Sequence, residues 1–267
     1  MRIAVLSEGG RVSPGCGGSP QVALVDVDAP THTVRQTIKT KSKMPGPSLR
    51  YAIPDLAPTA SSSGSWEAVE ANHAAIEART AVHRRFGFDP EASVRFVIEQ
   101  ALPLRGQVLD IGTGKGRFVI PLARHLARVT TVDVSADEQR QARLEAVYAG
   151  VADRLRFVIQ DARFLPWPAS SFDAVVSWNV LHHLDDPERV FREILRVLKP
   201  GGKLVLADFS PGGFRIMDAI HAAEGRRHPH PPSRLAHWRT RLRSAGNRAR
   251  CLSDFHQEVL LAHTNPL

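Results

Sequence analysis

The chain has 267 residues, 43% apolar and 23% charged, which suits a globular protein with one large domain and room for an appendage. Two cysteines exclude a disulfide framework, and no run approaches the roughly 20 consecutive apolar residues of a membrane span. The net charge is +8, and residues 212–250 concentrate nine arginines against two acids, which predicts either an anionic partner or a solvated arginine-rich helix. The N-terminal apolar run is too short for a signal peptide, so we expect a cytoplasmic protein with no membrane partner.

The amino-acid composition of the N-terminal part of the chain changes twice, once at the start of a linker and once at its end. Short apolar runs at 2–6 and 22–27, separated by a glycine-rich turn, predict a partial β-rich appendage over residues 1–45. Residues 41–65 hold four prolines and a serine tract, which is linker composition. We therefore place a linker at 46–64 and a separate domain at 65–267.

From residue 65 onward, helical and strand patterns alternate. Ser65 is the predicted N-cap of a helix over 66–85, and Asp89 caps a second helix that begins at Pro90. The remaining predicted helices cover 116–127, 135–150, 187–198 and 233–244, and the predicted strands cover 107–111, 129–134, 155–160, 172–177, 203–207, 248–252 and 258–262. This order predicts a three-layer α/β/α sandwich whose mostly parallel sheet ends in an antiparallel strand.

The strongest chemical signal is the run Asp110-Ile111-Gly112-Thr113-Gly114-Lys115-Gly116, between a predicted strand and a predicted helix. Glycines at such a turn permit positive φ and a close approach of the backbone to a ligand. The dinucleotide fingerprint fails because residue 117 is Arg, and the phosphate loop fails because Leu109 stands where its first glycine belongs. The remaining pattern is acid-x-G-x-G-x-G, whose acid faces a cationic or amino-bearing ligand.

Two further acids follow predicted strands. Asp133 ends the next strand, 21 residues after Gly112, where a carboxylate can accept both hydrogen bonds of a ribose diol. Asp161 follows the strand after that and can accept from an adenine amino group. A single such Asp is usually a cap, but three at strand ends beside a glycine loop indicate a nucleoside site.

Three further motifs follow along the chain: Phe172-Asp173-Ala174-Val175-Val176-Ser177, Leu181-His182-His183-Leu184 and Arg196-Val197-Leu198-Lys199-Pro200-Gly201-Gly202. Together with the glycine loop and the three acids, they resemble the class I S-adenosylmethionine-dependent methyltransferases of the small-molecule branch. The resemblance covers roughly the last 200 residues and implies a Rossmann-like fold and S-adenosylmethionine as cofactor. It implies that Asp110 and Gly112 hold the methionine moiety, Asp133 the ribose, and Asp161 with Ala162 the adenine. Asn179 would border the sulfonium, and Thr113, Gly114 and Gly116 complete the predicted cofactor site.

The expected chemistry is in-line displacement, in which the protein positions a nucleophile and excludes water. A base is needed only for a protonated acceptor, and His182 and His183 are the candidates. The alternative is that these histidines pack or cap the following helix. His221, Glu224, His228 and His230 crowd one stretch, but its prolines predict an irregular segment with poor ligand geometry, so no metal site is expected.

The N-terminal residues resemble the start of the dinitrogenase iron–molybdenum cofactor biosynthesis family, through Ile3-Ala4-Val5, Val12-Ser13-Pro14 and Val25-Asp26-Val27-Asp28. That family often has His-Phe-Gly after the Ser-Pro, where this chain has Gly15-Cys16-Gly17. We therefore interpret the segment as a truncated appendage.

The expected function is methyl transfer from S-adenosylmethionine to a small-molecule acceptor, with basic residues near 214–230 selecting an anionic one. An RNA or other polyanion methyltransferase is the less favoured alternative. A third reading is a catalytically silent cofactor-binding protein linked to metal-cluster assembly. The acceptor atom and the oligomeric state stay open at this point.

Overall fold

A computed structural model gives the fold. It describes residues 66–227 and 234–265 with their side chains, and the backbone of residues 63–65 and of three N-terminal strands. The chain divides into two compact units, Met1–Tyr51 and Ala52–Leu267. No helix in the described part of the chain has the length and apolar content that crossing a bilayer requires.

The N-terminal unit contains a three-stranded antiparallel sheet in the order β1-β2-β3. Its strands are β1 (Arg2–Val5), β2 (Val22–Val27) and β3 (Val34–Thr40). The first two agree with the predicted apolar runs. The third was not predicted, because Val-Arg-Gln-Thr-Ile-Lys-Thr is too polar to stand out as a strand.

The larger unit alternates helices and strands along the chain. Its helices are α1 (Ser63–Arg85), α2 (Pro90–Ala101), α3 (Val119–Ala123), α4 (Ala136–Tyr148), α5 (Pro187–Val197), α6 (Pro211–Ala223) and α7 (Leu235–Ser244). Its strands are β4 (Val108–Ile111), β5 (Val129–Asp133), β6 (Leu155–Ile159), β7 (Phe172–Trp178), β8 (Leu198–Phe209), β9 (Arg248–Asp254) and β10 (Gln257–His263).

The seven strands form one sheet in the order β6-β5-β4-β7-β8-β10-β9. All neighbouring pairs from β6 to β8 are parallel, and β10 runs antiparallel to both β8 and β9. The predicted fold, a mostly parallel sheet with an antiparallel terminal strand, is confirmed. Since parallel strands end at the same edge, the residues that follow β4, β5, β6, β7 and β8 meet there, and we call this the carboxyl edge.

Apolar residues on both faces of the sheet are buried, which holds the helices in two outer layers. On one face Trp238 of α7 is fully buried and stacks on Phe191 of α5, with ring centroids 4.5 Å apart. The i, i+4 spacing of Trp238 and Leu242 predicts this core position. On the other face α2 packs Val97 and Ala101 against the sheet, as its periodicity predicts.

Three helix predictions were wrong in detail. Helix α1 begins at Ser63, so Ser65 lies inside its first turn and is not the N-cap. Helix α3 is shorter than 116–127, because Gly116 has φ +86° and the turn after Ala123 uses i→i+3 hydrogen bonds. Helix α6 was not predicted, since the pair Gly212-Gly213 in its first turn disfavours a helix by propensity.

We expect residues 1–51 to be dispensable for cofactor binding, because the larger unit contains the complete seven-stranded sheet and its helices. A chain beginning at Ala52 should remain folded and bind S-adenosylmethionine with unchanged affinity in calorimetry. Loss of solubility or of cofactor binding in that shortened chain would show that the N-terminal unit is part of the functional fold.

Candidate active site at the carboxyl edge of the sheet

The glycine loop between β4 and α3 is fixed to the neighbouring strand. The backbone N–H groups of Gly112 and Thr113 both donate to the Val132 carbonyl, at 2.8 and 3.1 Å. Gly112 has φ +89°, and a Cβ there would lie 2.1 Å from a methyl carbon of Val180. Any other residue at 112 would therefore displace the loop that follows β7.

Asp110 lies beneath this loop and is almost completely buried. Its Oδ2 accepts a hydrogen bond of 2.7 Å from the Thr131 hydroxyl, whereas its Oδ1 has no partner among the described residues. Burial, and to a smaller extent the charge of Asp133, raise the pKa of Asp110 from 3.8 to about 8. A buried carboxyl with one unpartnered oxygen is suited to pair with a cationic ligand.

A short polar network anchors the loop from below. The hydroxyls of Thr113 and Thr131 are 2.7 Å apart, and the Gln139 amide donates to Thr113 Oγ1 and to the Val158 carbonyl. All three side chains are buried. The network couples β4, β5 and α4, so the position of Asp110 depends on residues from three elements.

Asp133 ends β5 and faces the same loop. Its Oδ2 accepts from the Gly114 backbone N–H at 2.8 Å, and its Oδ1 accepts from the Ser135 N–H at 2.9 Å. Each carboxylate oxygen can accept a second hydrogen bond. The side chain is therefore held by the backbone while keeping acceptor capacity at the carboxyl edge.

Asp161 follows β6, at the outer end of the same edge. Both of its oxygens are occupied by the Arg163 guanidinium, at 2.7–3.1 Å, and this pairing lowers the pKa of Asp161. Ala162, next in the chain, is buried. The predicted adenine contact of Asp161 stays a prediction, because any amino group would share this carboxylate with Arg163.

Asn179 follows β7 in a left-handed conformation, with φ +53°. Its amide oxygen and nitrogen are both buried without a hydrogen-bond partner in the described part of the chain. A left-handed non-glycine residue with an unsatisfied buried amide is costly, and such residues cluster at ligand sites.

His182 and His183 lie on the short 3₁₀ turn after β7 and differ sharply in environment. His182 is buried, and its Nδ1 lies 2.5 Å from Oδ1 of Asp208 near the end of β8. Oδ2 of Asp208 accepts from the His182 backbone N–H at 3.1 Å. His183 is exposed, and the two rings lie 4.0 Å apart.

An aromatic cluster borders the His182–Asp208 pair. Phe209 and Phe214 lie 5.6 and 5.3 Å from the His182 ring, measured between ring centroids. Phe88, in the connection just before α2, lies 5.6 Å from Phe209 between ring centroids. These rings, together with Met217 and Ile220 of α6, form a small apolar core of their own at the carboxyl edge.

The sequence reasoning missed Asp208, Thr131 and Gln139. Asp208 carries the same signal that identified Asp133 and Asp161, an acid at the end of a predicted strand, and the same rule would have found it. Thr131 and Gln139 carry no such signal, because an inward-facing Thr on a strand and a Gln on a helix are common in any α/β fold.

The sequence is similar to that of known methyltransferases. A family described as "Methyltransferase domain" matches residues 109–206. The 27-O-demethylrifamycin SV methyltransferase of Amycolatopsis mediterranei (strain S699) is 36% identical over 176 residues, covering 62% of this chain and 64% of that protein. The ubiquinone biosynthesis O-methyltransferase of Xanthomonas axonopodis pv. citri (strain 306) is 33% identical over 167 residues, covering 57% of this chain and 67% of that one.

The chain belongs to the class I S-adenosylmethionine-dependent methyltransferases. It spans about two thirds of the length of these two relatives. The fold is also that of the [4+2]-cyclase SpnF, with a TM-score of 0.51, 24% identity, and coverage of 66% of this chain and 81% of that one. That likeness concerns the fold alone.

The cofactor of this methyltransferase family is S-adenosylmethionine, and the residues at the carboxyl edge fit it. The unpartnered oxygen of buried Asp110 suits the ammonium of its methionine moiety, and the spare acceptor capacity of Asp133 suits a diol. The orphaned amide of Asn179 offers a donor and an acceptor beside them.

Two predictions about this methyltransferase fall partly or wholly outside the described residues. The N-terminal resemblance stays a prediction, and both Val12-Ser13-Pro14, which supports it, and Gly15-Cys16-Gly17, which departs from it, lie there. Of the histidine-rich stretch, His228 and His230 also lie there. His221 and Glu224 are described, at the end of α6 and just after it.

Proposed function

We propose that this chain transfers the methyl group of S-adenosylmethionine to a hydroxyl of a small-molecule acceptor. The observation that carries the proposal is the buried His182–Asp208 pair at the edge that also holds the glycine loop and Asp110. Bound S-adenosylmethionine supplies a methyl group on a positively charged sulfur, which is already a good leaving group. The protein's tasks are then to orient the acceptor, exclude water and remove a proton.

Asp110, Asp133 and Asn179 would hold the cofactor. Asp110 pairs with the ammonium, Asp133 accepts from the ribose hydroxyls, and the Asn179 amide borders the sulfonium. Gly114 and Thr113 support these contacts through the backbone and the buried hydroxyl network. Asp161 and Ala162 would border the adenine, where Arg163 is an additional neighbour.

His182 would serve as general base. Asp208 fixes the ring through Nδ1, and we assign Nε2 as the nitrogen that takes the acceptor proton. The Asp208 carboxylate also accepts from the backbone N–H groups of His182 and Phe209, so it is held in one orientation. A positioned base favours an oxygen acceptor. Of the two relatives reported above, one is named an O-methyltransferase and the other a methyltransferase of 27-O-demethylrifamycin SV.

The acceptor would combine an apolar body with an acidic group. The apolar part is supported by Phe209, Phe214 and Phe88 beside His182. The acidic group is supported by the cations of α1 and the glycine loop, Arg79 and Arg117. Burial, then the charges of Arg117 and Arg79, lower the pKa of nearby His83 to about 4, and Arg79 pairs with Glu224.

The experiment is a turnover assay with a panel of hydroxylated aromatic acceptors, each tested with and without a carboxylate. Release of S-adenosylhomocysteine that depends on the acceptor, with higher kcat/KM for the carboxylates, is the expected result. Cofactor binding without turnover across the panel would support the silent-protein alternative. Equal kcat/KM for acceptors with and without the carboxylate would show that Arg79 and Arg117 do not contact the acceptor.

The alternative that the chain methylates RNA is tested by the salt dependence of RNA binding. Of the nine arginines in 212–250, Arg241 pairs with Glu188 and Arg243 donates to the Ala249 carbonyl, while Trp238 is buried and gives no stacking platform. We expect no sub-micromolar binding of single-stranded RNA at physiological salt. For RNA binding, the logarithm of the binding constant falls against the logarithm of the salt concentration with a slope of about −0.7 per phosphate contact. A steep slope from several contacts, made shallower in Arg239→Ala, would favour the RNA methyltransferase instead.

A further inference from the structure

A concavity of about 510 Å³ opens at the edge of the sheet opposite the carboxyl edge. The end of α2, the start of β8 and β9, the end of β10 and the segment after α7 form its wall. Its charged and titratable lining residues are Glu99, Lys203, Arg243, Arg248, Arg250 and His263. We call this concavity the Lys203 pocket.

The strand register places most of these basic groups on one face of the sheet. His263 of β10 is directly opposite Lys203 of β8 on one side and Arg248 of β9 on the other. Directly opposed residues share a face, and Arg250, two residues beyond Arg248, shares it as well. Three neighbouring strands therefore direct four basic side chains to the same side.

Two of the cations are fixed in place by backbone carbonyls. The Lys203 ammonium donates to the carbonyls of Gln100, Ala101 and Leu102 at the end of α2, and Arg243 Nε donates to the Ala249 carbonyl at 2.7 Å. Arg248 and Arg250 form no ion pair with any residue that the structure describes. Glu99 is the single acid among the residues that line the pocket.

The basic groups repel one another. Burial, then the charge of Arg250, lower the pKa of Lys203, and burial followed by the charges of Lys203 and Arg248 lowers the pKa of His263. A bound anion relieves this repulsion, because each cation gains an opposite charge at short range. Cations collected around a concavity with a single carboxylate are arranged for an anion of more than one charge.

We propose that the Lys203 pocket binds the phosphate groups of a small molecule, with Arg248 and Arg250 as the main contacts and Lys203 as a fixed positive charge beside them. No aromatic side chain lines the pocket, so it offers phosphate contacts without a stacking surface for an unpaired base. The site is distinct from the proposed active site, since the two lie at opposite edges of the sheet.

The test is calorimetric titration of the full chain with inorganic pyrophosphate, with S-adenosylhomocysteine present at saturation. The double variant R248Q/R250Q is compared with R128Q/R192Q, which also removes two exposed arginines but leaves the pocket intact. We expect R248Q/R250Q to weaken pyrophosphate binding by at least about tenfold, because two charge-assisted contacts are lost. The control variant should bind as the unmodified chain does.

Several outcomes would overturn the proposal. Equal weakening in both variants would show a diffuse effect of net charge. Pyrophosphate binding that S-adenosylhomocysteine blocks would place the anion at the carboxyl edge. If single-stranded RNA binds more tightly than pyrophosphate, and this binding is lost in R248Q/R250Q, the two arginines belong to a nucleic-acid site instead.

Discussion

Replacing His182 by Ala is expected to lower kcat for methyl transfer by about 10²- to 10⁴-fold, the usual contribution of a positioned general base. The buried ring is the group that Asp208 orients, through the 2.5 Å contact at Nδ1. Cofactor affinity should stay close to that of the unmodified enzyme, because the proposed cofactor contacts come from Asp110 and Asp133. Steady-state kinetics and calorimetry together separate the two quantities.

Two companion variants sharpen this prediction. Asp208→Asn keeps the shape of the side chain but removes its charge, and should lower kcat because the His182 ring loses the carboxylate that orients it. His183→Ala removes the exposed neighbour and should cost far less. The base assignment fails if His183→Ala is the more damaging of the two histidine changes, or if kcat keeps its full value in His182→Ala.

The fold was predictable because its local signals agree with one another. Asp89 followed by Pro90 predicted the start of α2, and the structure has Asp89 accepting from the backbone N–H groups of Glu91 and Ala92. Ser135 caps α4 as predicted, by accepting from the Glu138 N–H. Strands separated by such capped helices allow few arrangements other than a parallel sheet.

What the sequence could not provide is the pairing of distant residues. Helix α6 is a clear case, since Gly213 disfavours a helix locally but a Cβ at that position would lie 2.4 Å from the His256 carbonyl. The glycine is required by the β9–β10 turn, 43 residues away. The partner of Asp208 is a second case, since its pairing with His182 is visible only once β8 is placed beside β7 and the turn that carries His182.

Burial was the other quantity that local patterns left undetermined. Asp110, Asp133 and Asp161 look alike in the sequence, as acids near strand ends. In the structure Asp110 is buried with a raised pKa, Asp133 is held by backbone N–H groups, and Asp161 is paired with Arg163. Three equivalent signals thus correspond to three different electrostatic environments, and the pKa of about 8 lets Asp110 change its protonation state near neutral pH.

Binding of S-adenosylmethionine at pH 7 should release about one proton, and Asp110 should be its source. With a pKa of about 8 the carboxyl is mostly protonated in the cofactor-free enzyme, and the cofactor ammonium favours the carboxylate. Because the folded pKa lies above the ordinary value of 3.8, the cofactor-free fold loses stability as pH rises from about 4 through 8. The cofactor's stabilising effect should therefore increase over the same range. Calorimetry in buffers of different ionisation enthalpy measures the released proton, and thermal unfolding measures the stability.

Asp110→Asn and Asp133→Asn form the matched pair for this experiment. Asp110→Asn should bind the cofactor at least about tenfold more weakly, since a neutral amide cannot pair with the ammonium, and should release no proton. Asp133→Asn should also lose affinity, because its amide donates where the diol needs an acceptor, yet it should retain the proton release. Unchanged proton release in Asp110→Asn would assign the titrating group elsewhere. Unchanged affinity in Asp133→Asn would remove that carboxylate from the cofactor site and leave Asp110 as the charge that recognises the cofactor.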